Sequence, residues 1–204
     1  MHKITRLSFL TAVTALALGA FSAQAAPETG KEAPAFTLTD SNGKTHSLAD
    51  FKGKFVVLEW LNHQCPFVVK HYGSGNMQAL QTKYTGQDVV WLSIVSSAEG
   101  KQGHVTPEQA NAITTEKKAA PTAVLLDTDG KVGRAYDAKT TPHMFVINPE
   151  GVLVYQGAID SNSSPNPETI KEATNYVTAA LDAAKAGKPI EQATTKAYGC
   201  SVKY

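Results

Sequence analysis

The chain has 204 residues, of which 42% are hydrophobic and 18% are charged. It is long enough to bury a core of its own and has the length of one domain. Two cysteines are too few for a small domain held together by disulfides. The net charge of +1 leaves no basic excess for attracting nucleic acid, so we predict no nucleic-acid partner.

The first residues have the composition of a secretory signal peptide. Lys3 and Arg6 precede an apolar stretch at 7–22, and Ala23-Gln24-Ala25 has the small-x-small pattern of a cleavage site. We therefore predict a signal peptide over 1–25, with an uncleaved anchor as the alternative. The expected location of the mature protein is secreted or periplasmic, without a stable membrane anchor after cleavage.

Cleavage would leave a chain with a net charge of −1, because the signal removes two positive charges. We predict one domain over 26–187, followed by a tail over 188–204 that carries Cys200 near its end. The oligomeric state is not predicted.

Buried strands and helices alternate along the mature chain. Strands are predicted at 36–39, 45–48, 55–60, 89–95, 122–126, 144–147 and 152–155. Helices are predicted over 66–84, from the N-cap Thr106 onward, over 132–136, and from 166 to the stop at Gly187. A βαβ unit followed by a ββα unit predicts an α/β fold, with a mixed central sheet flanked by helices on both faces and an N-terminal β-hairpin extension.

Cys65 follows the apolar strand through a short polar turn, and Pro66 begins the next helix. A cysteine at such a helix start faces unpaired N–H groups and the positive end of the helix dipole. Both favour the thiolate, which is the nucleophilic form. Cys65 is therefore the candidate catalytic residue, and a pKa below that of a free cysteine is expected.

The element order, together with a cysteine at the first strand-to-helix turn, resembles the thioredoxin fold over roughly 32–186. Cys65 falls where thioredoxins have the first cysteine of Cys-x-x-Cys, and Thr141-Pro142 precedes a strand as their cis-proline does. The resemblance implies that Thr141-Pro142 is cis, lies against Cys65, and offers backbone to a bound substrate strand. The candidate substrate-binding residues are Thr141, Pro142, Pro66, Asn62, His63 and His143.

Other positions place the chain in a branch of that superfamily. Val68 stands where the second cysteine would be, so no disulfide closes within the helix turn. The peroxiredoxin pattern needs Pro and Thr where this chain has Leu58 and Asn62. The chain instead resembles the peroxiredoxin-like and TlpA-like branch, the AhpC/TSA-type redoxins, in a form that keeps a single active-site cysteine. That resemblance implies the fold more strongly than an activity.

The resulting hypothesis is an exported thiol redox protein, an oxidoreductase that exchanges disulfides through Cys65. A lone thiolate needs a second thiol to release a mixed disulfide, and Cys200 is the candidate. The same pair would equally serve as a structural disulfide. The expected partners are protein thiols and disulfides, or a hydroperoxide if the protein is a weak thiol peroxidase and antioxidant.

The competing class is a thioredoxin-like module that binds a peptide or a metal without catalysis. His63, His71 and His143 flank Cys65 in sequence or in space, and a thiolate with two imidazoles suits copper or zinc. The spacing is not that of a tight ligand set, so we predict no metal and no cofactor. In the other interpretation, His63 and His143 lie at a polar rim, where an imidazolium would lower the pKa of Cys65.

Overall fold

A computed structural model describes residues 26–204, so the predicted signal peptide lies outside the described residues. The strands of this part are β1 (Thr37–Asp40), β2 (Thr45–Ser47), β3 (Val56–Trp60), β4 (Val90–Val95), β5 (Ala123–Leu126), β6 (Thr140–Thr141), β7 (His143–Ile147), β8 (Leu153–Gly157) and β9 (Cys200–Ser201). The α-helices are α1 (Pro66–Gly73), α2 (Asn76–Thr85), α3 (Pro107–Glu116), α4 (Lys131–Ala135) and α5 (Tyr176–Lys185). No helix among the described residues is both long enough and apolar enough to span a membrane.

Seven strands form one mixed sheet in the order β2-β1-β5-β4-β3-β7-β8. The strands β3, β4 and β5 are parallel to one another, whereas β7 and β8 run antiparallel beside β3. The predicted hairpin forms β1 and β2, and β1 extends the sheet beside β5. Every residue of β3 and β4 is buried, as continuous apolar strands inside a parallel sheet require. The predicted fold class is confirmed.

The two faces of β3 contribute to two separate cores, because successive side chains of a strand point to opposite faces. Val56, Leu58 and Trp60 belong to one core, which includes an aromatic cluster of Trp60, Tyr136 and Phe145. Val57 belongs to the other core, which α1, α2 and α5 cover. Cys65 packs in this second core.

Glu59 also faces the second core and is fully buried. It accepts hydrogen bonds from Tyr72 Oη (2.9 Å), Trp91 Nε1 (2.9 Å), Ser93 Oγ (3.0 Å) and Gln81 Nε2 (3.2 Å). Burial nevertheless raises the pKa of Glu59, against the lowering effect of these donors. The four bonds fix α1, α2 and β4 to the strand that leads into Cys65.

Two predicted helix boundaries are wrong. The helix predicted over 66–84 is two helices, because Gly75 adopts a left-handed conformation with φ of 79° between α1 and α2. The last α-helix begins at Tyr176 rather than near 166, since Asn175 caps it by accepting a hydrogen bond from Thr178 N. The segment Pro167–Lys171 before it is a separate 3₁₀ helix.

The helix start predicted at Thr106 is confirmed. The Thr106 hydroxyl accepts from Gln109 N, and the Gln109 side chain accepts from Thr106 N. This reciprocal pair satisfies two backbone donors that the helix start would otherwise leave unpaired.

The C-terminal tail lies along the domain. Beside β8, Gln156 N donates to Ala193 O and Thr195 N donates to Gln156 O, each at 3.0 Å. The tail then forms β9, which pairs antiparallel with β6. This second, two-stranded sheet was not predicted.

Candidate functional site

The turn after β3 sets the position of Cys65. Asn62 is buried, and its Oδ1 accepts a hydrogen bond from Gln64 N (2.9 Å) while its backbone O accepts from Cys65 N (3.0 Å). Cys65 is then the N-cap of α1, and Pro66 is the first residue of that helix. Proline suits this position because the N–H it lacks would have no partner there.

The Thr141–Pro142 peptide bond is cis and lies against this turn, as the resemblance implies. In its thiol form Cys65 donates a hydrogen bond from Sγ to Thr141 O at 3.0 Å. Cys65 and Thr141 are both almost completely buried. The first strand-to-helix turn and the start of β7 thus form one site.

The tail brings the second cysteine to the same site. Within the β6–β9 pair, Cys200 lies directly opposite Thr141. Gly199 approaches so closely that a Cβ at this position would lie 2.0 Å from Thr141 O. Its φ of 137° also favours glycine. Both cysteines are free thiols in the structure, and Cys200 packs against the core that contains Cys65.

The two thiols differ in acidity because their surroundings stabilise the thiolate of Cys65 and disfavour that of Cys200. Burial by itself raises the pKa of Cys65, but hydrogen bonds from the Cys200 side chain, the Cys200 backbone and the Val68 backbone outweigh it. The pKa of Cys65 is therefore lowered. Burial and the neighbouring Cys65 thiolate raise the pKa of Cys200 to about 11. As the pH rises, Cys65 therefore ionises before Cys200.

We expect the thiolate of Cys65 to form below the ordinary cysteine pKa of about 8.5. The ultraviolet absorbance of the thiolate, followed against pH, measures it in a Cys200→Ser chain. Subtracting the curve of the Cys65→Ser/Cys200→Ser double variant removes the tyrosine signal. An inflection at or above 8.5 contradicts the prediction.

The histidine interpretation is wrong in its electrostatics. His143 is not at a polar rim: it is buried in β7, and its Nδ1 accepts from Lys139 N at 3.3 Å. Burial lowers the pKa of His143 to about 4, and burial also lowers the pKa of His63. The lowered pKa of each ring disfavours the imidazolium that this interpretation requires.

The two other histidines considered as metal ligands, His63 and His71, differ in burial. His63 is half-buried and faces the region of α3, where it shares a mostly apolar cleft with Ile113 and Lys117. His71 is buried, and burial lowers its pKa to about 4. No three His, Cys, Asp or Glu residues come together as a metal-binding group in the described part of the chain.

Sequence reasoning missed a buried polar cluster, the Asp160 cluster, which consists of Asp160, Lys70, His71 and Tyr198. Lys70 Nζ is 3.3 Å from Asp160 Oδ2, and the Tyr198 hydroxyl donates to Asp160 Oδ1. His71 Nε2 lies 3.3 Å from Tyr198 Oη. Lys70 and His71 belong to the helix that Cys65 begins, and Tyr198 is two residues before Cys200. The cluster therefore joins the two cysteine-bearing segments.

Comparison with known proteins agrees with this geometry. A model described as the AhpC/TSA family matches residues 29–156. The thiol-disulfide oxidoreductase ResA of Bacillus subtilis (strain 168) is 33% identical over 125 residues, which cover 61% of this chain and 64% of ResA. The chain thus spans a little under two thirds of that relative.

Two solved structures are similar over a larger share of the chain. A hypothetical protein from Sinorhizobium meliloti 1021 has a TM-score of 0.76 at 27% identity, covering 88% of this chain and 96% of that one. An uncharacterized conserved protein from Geobacillus kaustophilus has a TM-score of 0.72 at 29% identity, covering 87% of this chain and 92% of that one. The predicted redoxin branch of the thioredoxin fold is confirmed.

Proposed function

Because this chain belongs to the AhpC/TSA family, we propose that it is a thiol–disulfide oxidoreductase in which Cys65 attacks and Cys200 resolves. The observation that carries the proposal is the placement of both cysteines at Thr141, whose carbonyl accepts a hydrogen bond from Cys65 and whose strand partner is Cys200. The thiol-disulfide oxidoreductase activity named for the Bacillus subtilis relative supports it.

The reaction has two exchange steps. The Cys65 thiolate attacks one sulfur of a substrate disulfide, forms a mixed disulfide and releases the other substrate sulfur as a thiolate. Cys200 then loses its proton and attacks the Cys65 sulfur, which forms the Cys65–Cys200 disulfide and releases the second substrate thiolate. Two electrons pass from the cysteine pair to the substrate. A dithiol protein would return the pair to its reduced form, and the reverse sequence oxidises such a dithiol.

The effect of the Cys65 charge on the pKa of Cys200 gives the two exchange steps an order. While Cys65 is a thiolate, its charge and hydrogen bond help to hold the pKa of Cys200 at about 11, so Cys200 stays protonated. The mixed disulfide removes that negative charge, so the pKa of Cys200 falls, while burial, the larger cause, still raises it. The resolving thiol is thus activated by the first step.

The substrate and location form part of the proposal. Extended backbone pairing at Thr141 suits a polypeptide, so we assign protein thiols and disulfides as substrates. The composition of residues 1–25 supports export to a secreted or periplasmic location. Disulfide chemistry on proteins belongs in such an oxidising compartment.

The test compares disulfide and hydroperoxide as oxidants of the reduced mature chain. We expect both thiols to be consumed by a protein disulfide with turnover in the presence of a dithiol, and no turnover in a Cys65→Ser variant. Hydrogen peroxide should be turned over poorly, because Leu58 is buried in the core and the Asn62 side chain is engaged in its turn. Rapid oxidation of Cys65 by peroxide without disulfide exchange would instead establish the thiol peroxidase.

The same experiment separates a redox-active pair from a structural disulfide. A redox-active pair appears as two free thiols after mild reductant and none after substrate disulfide. A pair that resists a mild dithiol in the folded chain contradicts the proposal and leaves only the structural role.

A further inference from the structure

The C-terminal tail covers the site of Cys65, the thiol that attacks substrate in the proposed function. Cys65 has a relative exposure of 0%, although exchange requires a substrate sulfur to reach its Sγ. The backbone beside it is also occupied, because β9 pairs with β6 at Thr141 and Thr140. A substrate cannot dock there while the tail stays in place.

The tail is held as a bound peptide is held, by main-chain bonds on both sides. Val202 N donates to Lys139 O at 3.0 Å, which continues the pairing with β6. On the opposite side, Ala98 N donates to Lys203 O at 2.8 Å. An extended segment that completes hydrogen bonds along its length is the pattern of β-strand addition, in which main-chain bonds supply affinity and side-chain pockets supply selectivity.

Two aromatic side chains anchor the strand at its ends. Tyr198, two residues before Cys200, packs edge-on against Phe67 with ring centroids 5.7 Å apart and donates to Asp160. Tyr204, four residues after Cys200, lies with its ring 4.5 Å from the Arg134 guanidinium and donates from Oη to Ala138 O at 2.7 Å.

Two glycines leave space for the aromatic ring of Tyr204. A Cβ at Gly130 would lie 2.5 Å from Tyr204 Cδ1, and one at Gly133 would lie 2.5 Å from Tyr204 Oη. Both glycines therefore leave room that any other side chain would fill. At the cysteine itself, the close approach of Gly199 to Thr141 O admits only glycine at the preceding position.

From these contacts we infer that the tail occupies the substrate-binding groove of its own chain. This groove is the docking site of an extended, cysteine-bearing polypeptide segment. The segment carries glycine just before its cysteine and aromatic side chains two positions before and four positions after it. The inference rests on the proposed function and adds to it the substrate class and an intramolecular gate. A substrate strand displaces the tail before Cys65 reacts, and the tail returns to bring Cys200 to the mixed disulfide.

The test releases the tail by one substitution within the tail itself. In a Cys200→Ser background, Gly199→Ala forces its Cβ against Thr141 O and expels the tail, whereas Gly73→Ala adds the same methyl group where nothing lies within 4 Å. We expect iodoacetamide to label Cys65 at least about tenfold faster in the Gly199→Ala chain than in the Gly73→Ala control, because the protected thiol no longer needs a local opening. Tyr204→Ala, which removes an anchor, should also accelerate labelling.

A peptide supplies the binding test. The probe is a fluorescent copy of residues 196–204 that carries Cys200→Ser, followed by anisotropy. It should bind the Gly199→Ala chain saturably and protect Cys65 again, while the same peptide carrying Gly199→Ala should not. The Gly73→Ala chain should bind little, because its own tether holds the tail at an effective concentration of about millimolar.

Equal labelling of Cys65 in all three chains, or no specific binding of the peptide, overturns the inference. Neither measurement needs turnover of a disulfide. Disulfide exchange by the wild-type chain without peptide binding by the Gly199→Ala chain overturns the gate alone, whereas peptide binding without disulfide exchange by the wild-type chain overturns the proposed function alone.

Discussion

Replacing Cys200 with serine is expected to convert the protein into a trap that retains its substrate as a mixed disulfide on Cys65. The serine hydroxyl is close in size to the thiol but cannot attack a sulfur, so the second exchange step is lost. Turnover should stop after about one equivalent of substrate per chain. Non-reducing electrophoresis and mass spectrometry of the chain with a disulfide-bonded protein measure the adduct.

The matched controls are the reduced wild-type chain and the Cys65→Ser variant. Wild type should resolve the adduct and accumulate the Cys65–Cys200 disulfide, and Cys65→Ser should form no adduct at Cys200, whose pKa of about 11 depends in part on the Cys65 thiolate and remains raised by burial. A Cys200→Ser chain that turns over as fast as wild type would remove Cys200 from the mechanism. It would also show that resolution comes from an external thiol.

Replacing Asp160 with alanine is expected to destabilise the fold by about 3–5 kcal/mol, the usual cost of leaving one member of a buried ion pair without its partner. Lys70 has a side-chain exposure of 0% and would keep only its bond to Asn162 O at 2.8 Å. The Tyr198 hydroxyl would lose its acceptor as well. Urea unfolding monitored by circular dichroism measures the change in the midpoint.

The control is a shorter but exposed ion pair. Lys171 Nζ and Glu168 Oε2 are 2.7 Å apart with side chains more than 70% exposed, so Glu168→Ala should cost at most about 1 kcal/mol. Burial rather than distance then decides the energy. Adding Lys70→Met to Asp160→Ala should recover part of the loss, because an apolar side chain needs no partner in that space. Equal midpoints for Asp160→Ala and Glu168→Ala contradict the prediction.

Local pattern was sufficient for most of the fold. The continuous apolar runs of β3 and β4, the capping residues around Thr106 and the Cys65-Pro66 helix start each express a preference that neighbouring residues alone determine. These elements appear in the structure at or within a residue of their predicted positions. The order of such elements limited the topology to few choices.

Local sequence pattern did not predict helix boundaries correctly where a segment contained two competing signals for a helix start or end. The segment 66–84 has residues compatible with one helix, but Gly75 takes a left-handed conformation that ends it. Asn166 and Asn175 are both suitable N-caps, and both are used. Only the second begins an α-helix; the Asp160–Asn175 bridge and the Ser161 N to Thr174 O hydrogen bond close the chain between them into a loop, and Asn166 caps a 3₁₀ helix within it.

The sequence by itself determined that one cysteine lies at a helix start, that Thr141-Pro142 has the pattern of a cis-proline turn, and that a second cysteine lies in a tail long enough to approach them. Tertiary structure alone decided that Cys200 lies opposite Thr141, that Tyr198 joins Lys70 and Asp160, and that His143 is buried and uncharged. The physical reason is that thiol acidity, ring charge and strand register depend on desolvation and on hydrogen bonds between residues far apart in the chain. No local pattern records which distant groups will share a dry interior.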